Sequence, residues 1–274
     1  MRTDYNGKIQ AVILDWAGTV IDYGCFAPLN VFIAVFRQRG IEIATDEARK
    51  PMGLLKRDHI AALCAMPRIA AAWQARFGDE PAEADIDELY RDFESLQLQV
   101  LPHYTDLIPG ALETVGRLRA LGLKIGSTTG YTRGMMDIVA PEAGKKGYTP
   151  DSLVTPNEAP AGRPHPWMCY RNAMNLGVYP LEAYVKAGDT ISDIQEGLNA
   201  GMWSVGVVKG GSELGLSEAE VNALSPEELE ERMNIVKSRF LSAGAHYVID
   251  SIAGLPDVIE RINARMANQE EAIR

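Results

Sequence analysis

The chain has 274 residues, 46% of them hydrophobic and 23% charged, and a formal net charge of −10. That balance excludes a disordered chain and argues against a general binder of nucleic acid or anionic membrane. Cys25, Cys64 and Cys169 are too scattered for a disulfide framework or a cysteine zinc site. The opening residues hold no apolar run long enough for a leader or a span, so the expectation is a soluble cytoplasmic protein.

In chain order, short apolar runs alternate with helical stretches. Ala11–Leu14 is the first strand, broken by Asp15. The interval from Gly24 to Pro102 then reads as almost wholly helical: Pro28–Arg39, Asp46–Arg49, Leu54–Ala65, Pro67–Arg76 and Glu83–Leu101, punctuated by Gly40, Gly78 and Pro81. So long a crossover predicts a separate helical unit inserted after the first strand. Further strands are predicted at Leu123–Ser127, Leu153–Thr155, Tyr184–Ala187, Val205–Val208 and Tyr247–Ile249. Helices Leu112–Leu121, Arg133–Ala140, Trp167–Asn175, Ile191–Ala200 and Leu255–Met266 alternate with them, and the polar tail 266–274 is expected to fray. A polar helical insertion, 210–244, is expected to decorate the surface. Strands apolar on both faces, separated by helices, predict a parallel sheet between two helix layers. The fold class is therefore α/β, a Rossmann-like core with an inserted all-helical cap. Residues 1–23 and 103–274 would form the core, and 24–102 the cap.

Polar residues collect at the predicted strand ends, where open α/β sheets bind ligands. Asp15 precedes a Gly18 turn and can serve as a nucleophile or a hard-metal ligand. Asp189 ends the Tyr184 strand, and Asp193 follows one helical turn on. If the two strands are neighbours, these carboxylates converge as Mg²⁺ ligands do; a helix cap is the alternative for each alone. Ser127-Thr128-Thr129-Gly130-Tyr131 offers hydroxyls and free N–H groups to an anion, or simply caps a helix. Arg163 stands in a proline-flanked loop that could aim its guanidinium at a phosphoryl group. In the helical interval, Lys56 and His59 share a helix face. A lysine held in a partly desolvated cleft can lose its proton and attack a carbonyl; an exposed helical lysine is the ordinary alternative.

Asp15, Thr129, Arg163 and the pair Asp189 and Asp193, in that order across the whole chain, resemble the haloacid dehalogenase superfamily. Phosphatases of that group carry a second aspartate two residues after the nucleophile, where this chain has Ala17. The stretches 15–19, 25–28, 51–56, 126–133 and 160–164 resemble the phosphonatase (phosphonoacetaldehyde hydrolase) family within it. The resemblance implies a hydrolase that cleaves a carbon–phosphorus bond in a small-molecule phosphonate. Asp15 would be the nucleophile, Lys56 would form a Schiff base, and His59 would pass protons. Thr129, Arg163, Met52, Gly53, Cys25 and Tyr131 would surround the substrate. Mg²⁺ would be held by Asp15, the Ala17 backbone oxygen, Asp189, and Asp193 directly or through water. It also implies a homodimer, with the cap helix Pro28–Arg39 as a candidate contact. A phosphatase or dehalogenase of the same superfamily is the rival reading, against which Ala17 and Lys56 speak together. A non-catalytic phosphate-binding module is the second rival.

Overall fold

The computed structural model describes residues 7–271. Six parallel strands form one sheet: β1 (Ala11–Leu14), β2 (Lys124–Thr128), β3 (Ser152–Val154), β4 (Tyr184–Gly188), β5 (Trp203–Val207) and β6 (Tyr247–Ile249). Their order across the sheet is β3-β2-β1-β4-β5-β6. The chain builds outward from β1 on one side, then crosses over and builds on the other. The switch falls beside β1, whose Leu14 is in register with Ser127 of β2 and Ala187 of β4. Asp15 and Asp189 therefore leave neighbouring strands at the same edge of the sheet. β1 and β4 are buried along their whole length, as strands covered on both faces must be.

Between β1 and β2 stand α1 (Phe26–Gln38), α2 (Thr45–Arg49), α3 (Lys56–Cys64), α4 (Pro67–Phe77) and α5 (Glu83–Val100). α5 packs on α1 and α3. Apolar side chains at helical spacing, Ile86, Leu89 and Phe93, put the buried face of α5 against Phe32 of α1, with Phe32 and Phe93 stacked at 4.3 Å. α6 (Ala111–Ala120) leads into β2, and after β2 come α7 (Arg133–Lys145), α8 (Trp167–Leu176), α9 (Ile191–Asn199), α10 (Glu218–Ala223), α11 (Pro226–Ser242) and α12 (Leu255–Glu271). Ser217 and Ser225 open α10 and α11 as capping boxes with Glu220 and Glu228. Among the described residues no helix is long and apolar enough to cross a membrane.

Three expectations are corrected. The helix expected over Arg133–Ala140 runs on through Pro141 to Lys145 as α7. The extra turn buries Ala143 and leads to Tyr148, which meets Trp16 edge-on at 5.1 Å, and that packing outweighs the lost hydrogen bond. The 210–244 insertion is more than decoration. Met233, Val236 and Phe240 of α11 are buried in a cluster with Ile194 and Val208, covering one face of the sheet. The tail does not fray at Met266: that side chain is buried and α12 continues to Glu271, while 272–274 lie outside the described residues.

Candidate active site

Asp15 follows β1 and is held by its own N–H, which donates to Ala187 O at 3.0 Å. The chain then turns back within a few residues, with the N–H groups of Val20 and Ile21 both donating to Trp16 O. Gly18 makes this turn at φ +90, and a Cβ there would lie 2.3 Å from Asp189 Oδ2, so only glycine lets the two strand ends approach. Asp189 Oδ1 accepts from Thr19 Oγ1 at 3.1 Å, and Oδ2 from Ser212 N–H at 2.7 Å. Thr190 caps α9, and its hydroxyl donates to Asp193 Oδ2 at 2.6 Å.

Ligand oxygens of Asp15, Asp189 and Asp193 lie within 4.8 Å of one another. Burial, then the Asp193 charge, pushes Asp15 above the ordinary carboxylate range, against Arg163 and Lys186. Burial and the Asp15 charge push Asp189 up further. Two buried carboxylates held above their ordinary range, Asp189 partly by the charge of Asp15, fit a hard divalent cation, which would relieve that repulsion. Burial would raise Asp193 too, but Arg163 and Lys186 outweigh it and hold that group low. Both its oxygens are already engaged, Oδ1 by Lys186 Nζ at 2.5 Å and Oδ2 by Thr190.

Arg163 is almost wholly buried among the acids. Nη2 donates to Asp15 Oδ1 at 2.7 Å and to Thr128 Oγ1 at 2.8 Å, Nε to Glu196 Oε2 at 2.9 Å, and Nη1 lies 3.1 Å from Asp193 Oδ1. Burial opposes its charge, but Asp193, Asp15 and Glu196 more than restore it. This guanidinium organises the carboxylates and also borders the cavity.

Across the cavity, Lys56 is the first residue of α3 and only 3% exposed. Its ammonium lies 5.1 Å from the Tyr131 ring centroid and 5.8 Å from that of Phe32. Among the described residues no carboxylate lies within ion-pair distance of it, and burial lowers its pKa, Cys25 and Asp15 notwithstanding. Arg57, the next residue, turns away to Glu83 and Asp87 at the surface. The loop before Lys56 rests on the core: Gly53, at φ +91, would drive a Cβ to 2.4 Å from Thr190 Oγ1.

Asp15, Ala17, Cys25, Met52, Gly53, Lys56, Thr129, Tyr131 and Arg163 all border one cavity of about 20 Å³, room for about one water molecule. Thr129 Oγ1 accepts from Tyr131 N–H at 3.0 Å, which fixes the loop at the end of β2. Asp189 and Asp193 stand behind this wall. His59 does not join it. Its ring stacks on Phe32 at 3.7 Å and its Nε2 faces Ala48 O at 2.9 Å, while burial, then Lys56, keeps it neutral.

Sequence reasoning passed over Lys186, Glu196, Thr19 and Ser212. Lys186 was read as part of an apolar strand, although a lysine there needs a buried partner. Glu196, one turn beyond Asp193 on α9, carried the same signal. Nothing local marks Ser212; it arrives through the 210–244 insertion.

This fold, with an acidic cluster at the end of β1, is that of a haloacid dehalogenase-like hydrolase, and the family model of that description matches residues 9–201. The chain is 60% identical to phosphonoacetaldehyde hydrolase of Bacillus cereus strain AH187 over 255 residues, 93% of this chain and 97% of that protein. It is 57% identical over 262 residues, 96% of this chain, to a bifunctional phosphonoacetaldehyde hydrolase/aminoethylphosphonate transaminase of Clostridioides difficile, of which the match covers 41%. The crystal structure of a phosphonoacetaldehyde hydrolase-like protein from Oleispira antarctica superposes with a TM-score of 0.95 at 42% identity, covering 98% of this chain and 97% of that one. The chain belongs to the phosphonoacetaldehyde hydrolase family of the haloacid dehalogenase-like hydrolases.

Proposed function

We propose that this chain hydrolyses phosphonoacetaldehyde to acetaldehyde and phosphate through a Lys56 imine and an Asp15 phosphoryl-enzyme. The observation that carries the reading is the pairing, across one cavity, of a desolvated and unpaired Lys56 with Asp15. Relatives bearing that activity in their names support the substrate. Residues 24–102 act as a cap that supplies Lys56, and residues 1–23 and 103–274 as the core that supplies Asp15.

Burial makes Lys56 give up its proton more readily, which favours the nucleophilic amine. Its neutral Nζ adds to the aldehyde carbon, and with one proton taken from solvent the carbinolamine oxygen leaves as water, giving a protonated imine. A carboxylate oxygen of Asp15 then attacks phosphorus. The carbon–phosphorus bond breaks with its electron pair on carbon, and the cationic imine becomes a neutral enamine. Protonation at carbon and addition of water release acetaldehyde and free Lys56. A second water cleaves the aspartyl-phosphate to inorganic phosphate and Asp15. No alkoxide leaves, so a carboxylic acid at position 17 would have no leaving oxygen to protonate, which suits Ala17.

Asp15, the Ala17 carbonyl and Asp189 would hold Mg²⁺, which neutralises charge on the phosphonate; Asp193, already engaged, serves through water. Thr129 and Arg163 face the transferring group, and Arg163 holds Asp15 in line. Tyr131 and Phe32 present ring faces to the cation that forms on Lys56. His59 holds Nε2 to Ala48 O and stacks on Phe32, and its Nδ1, without a hydrogen-bond partner among the described residues, is the atom that would pass protons during imine formation. A homodimer through α1 rests on the family alone; α1 already turns Phe32, Val35 and Phe36 inward, and sedimentation tests it.

Borohydride reduction with and without phosphonoacetaldehyde, followed by peptide mapping, tests the mechanism. A substrate-dependent adduct on Lys56 is expected, as is loss of phosphate release in Lys56→Arg. An adduct elsewhere, or near wild-type turnover by Lys56→Arg, would overturn the reading.

A further inference from the structure

Arg49 closes α2 at the seam between the helical unit and the sheet. Its Nη1 donates to Gly24 O at 2.8 Å and Ser212 O at 3.3 Å, and its Nη2 to Gly215 O at 3.2 Å. The guanidinium lies 5.0 Å from the Phe26 ring centroid. Gly215, at φ +68, approaches so closely that a Cβ there would sit 2.9 Å from Arg49 Nε. Three segments thus meet on one cation: α2, the linker leaving β1 at Gly24, and the loop 210–215. The last two are also tied directly, Gly24 N–H donating to Gly210 O at 2.7 Å.

That loop reaches the carboxylates. The residue whose carbonyl Arg49 grips, Ser212, gives its N–H to Asp189 Oδ2 at 2.7 Å. Gly211 lies against the same aspartate, where a Cβ would stand 2.8 Å from Asp189 Cβ. The cavity beside the carboxylates is about 20 Å³, too small for a molecule with a phosphonate group. In the proposed reaction the helical unit would have to lift to admit substrate, and lifting α2 would take the guanidinium off the carbonyls of Ser212 and Gly215.

We infer that Arg49 is a latch and a positioning residue. It fastens the closed helical unit to the linker and to the loop 210–215, and in closing it seats Ser212 N–H on Asp189. It touches no reacting atom. A planar fork suits carbonyls on separate segments in a way that a lysine, a point charge on a flexible stem, does not. The inference rests on the proposed function only in taking Lys56 and Asp189 as working parts of the site.

Arg49→Met and Arg49→Lys test it in full-length protein without substrate. The first readout is the rate at which Lys56 reacts with trinitrobenzenesulfonate, mapped by peptide against the other lysines. The second is Mg²⁺ affinity, followed by tryptophan fluorescence. Arg49→Met is expected to speed Lys56 labelling selectively by about tenfold, the equivalent of one charged hydrogen bond. Mg²⁺ affinity is expected to weaken about threefold, about half that effect in free energy. Arg49→Lys should fall between Arg49→Met and wild type. Unchanged Lys56 labelling and Mg²⁺ affinity in both variants would overturn the latch. So would faster labelling of every lysine together with a lower Tm, which is the mark of a merely structural role. Neither readout needs turnover, so a chain inactive on phosphonoacetaldehyde would refute the proposed function without deciding the latch.

Discussion

Replacing Lys186 by methionine removes an ammonium from the middle of the sheet and keeps most of its shape. Its Nζ lies 2.5 Å from Asp193 Oδ1 and 3.6 Å from Glu196 Oε2, and all three side chains are fully buried. In the variant, Arg163 alone faces Asp15, Asp193 and Glu196. Removing one partner of a buried pair strands a charge that water cannot reach, at about 3–5 kcal/mol. For a chain of this size that is a fall of about 10 °C in Tm. Thermal and urea unfolding of Lys186→Met measure the loss. Adding Asp193→Asn to it removes the stranded charge, so the double variant is expected to be more stable than the single one. The deficit should also shrink as pH falls, because the orphaned carboxylates then take up protons. A loss below about 1 kcal/mol, within the range of an ordinary surface change, or a double variant showing the full additive cost, would refute the reasoning.

Asp22 accepts the Phe26 and Ala27 N–H groups at the start of α1, both at 3.0 Å, yet burial pushes its carboxyl from 3.8 up to about 6. A folded value above the unfolded one means that its stabilising contribution is present in acid and is lost as pH rises through about 6. That shift amounts to about 3 kcal/mol, and Asp22→Asn should lack the corresponding slope; parallel urea-unfolding profiles between about pH 4 and pH 7 would count against it. Gly53→Ala would place a Cβ 2.4 Å from Thr190 Oγ1 at φ +91. It is expected to lift the 52–56 loop and cut kcat/KM by about a hundredfold, at a stability cost of only about 1–3 kcal/mol. Phosphate release at the wild-type rate would refute the close approach.

The sequence by itself determined the architecture. Alternating apolar runs and helical periods predicted every strand, and the long helical interval after Ala11–Leu14 predicted α1 to α5. These are local signals, because strand burial and helix amphipathicity are written at spacings of a few residues. Asp15, Asp189 and Arg163 were legible as candidates because each stands at the end of a strand or in a proline-rich loop; Lys56 read as a helical lysine, and the resemblance to the phosphonatase family gave it a role. Periodicity could not reveal which of these residues would meet. Asp15 and Asp189 are 174 positions apart in sequence and converge only because β4 lies beside β1. Lys186 and Glu196 looked like a stray strand charge and a surface helix charge until the fold closed Arg163 over them. His59 shares a helix face with Lys56, and only the fold shows that its ring stacks on Phe32 and does not border the cavity. Ser212 and Arg49 carry no local signal, since backbone hydrogen bonds to and from a loop depend on where the loop lies. Side-chain chemistry was readable one residue at a time; partnership, desolvation and the closed cavity depend on distances in space, which tertiary packing alone sets.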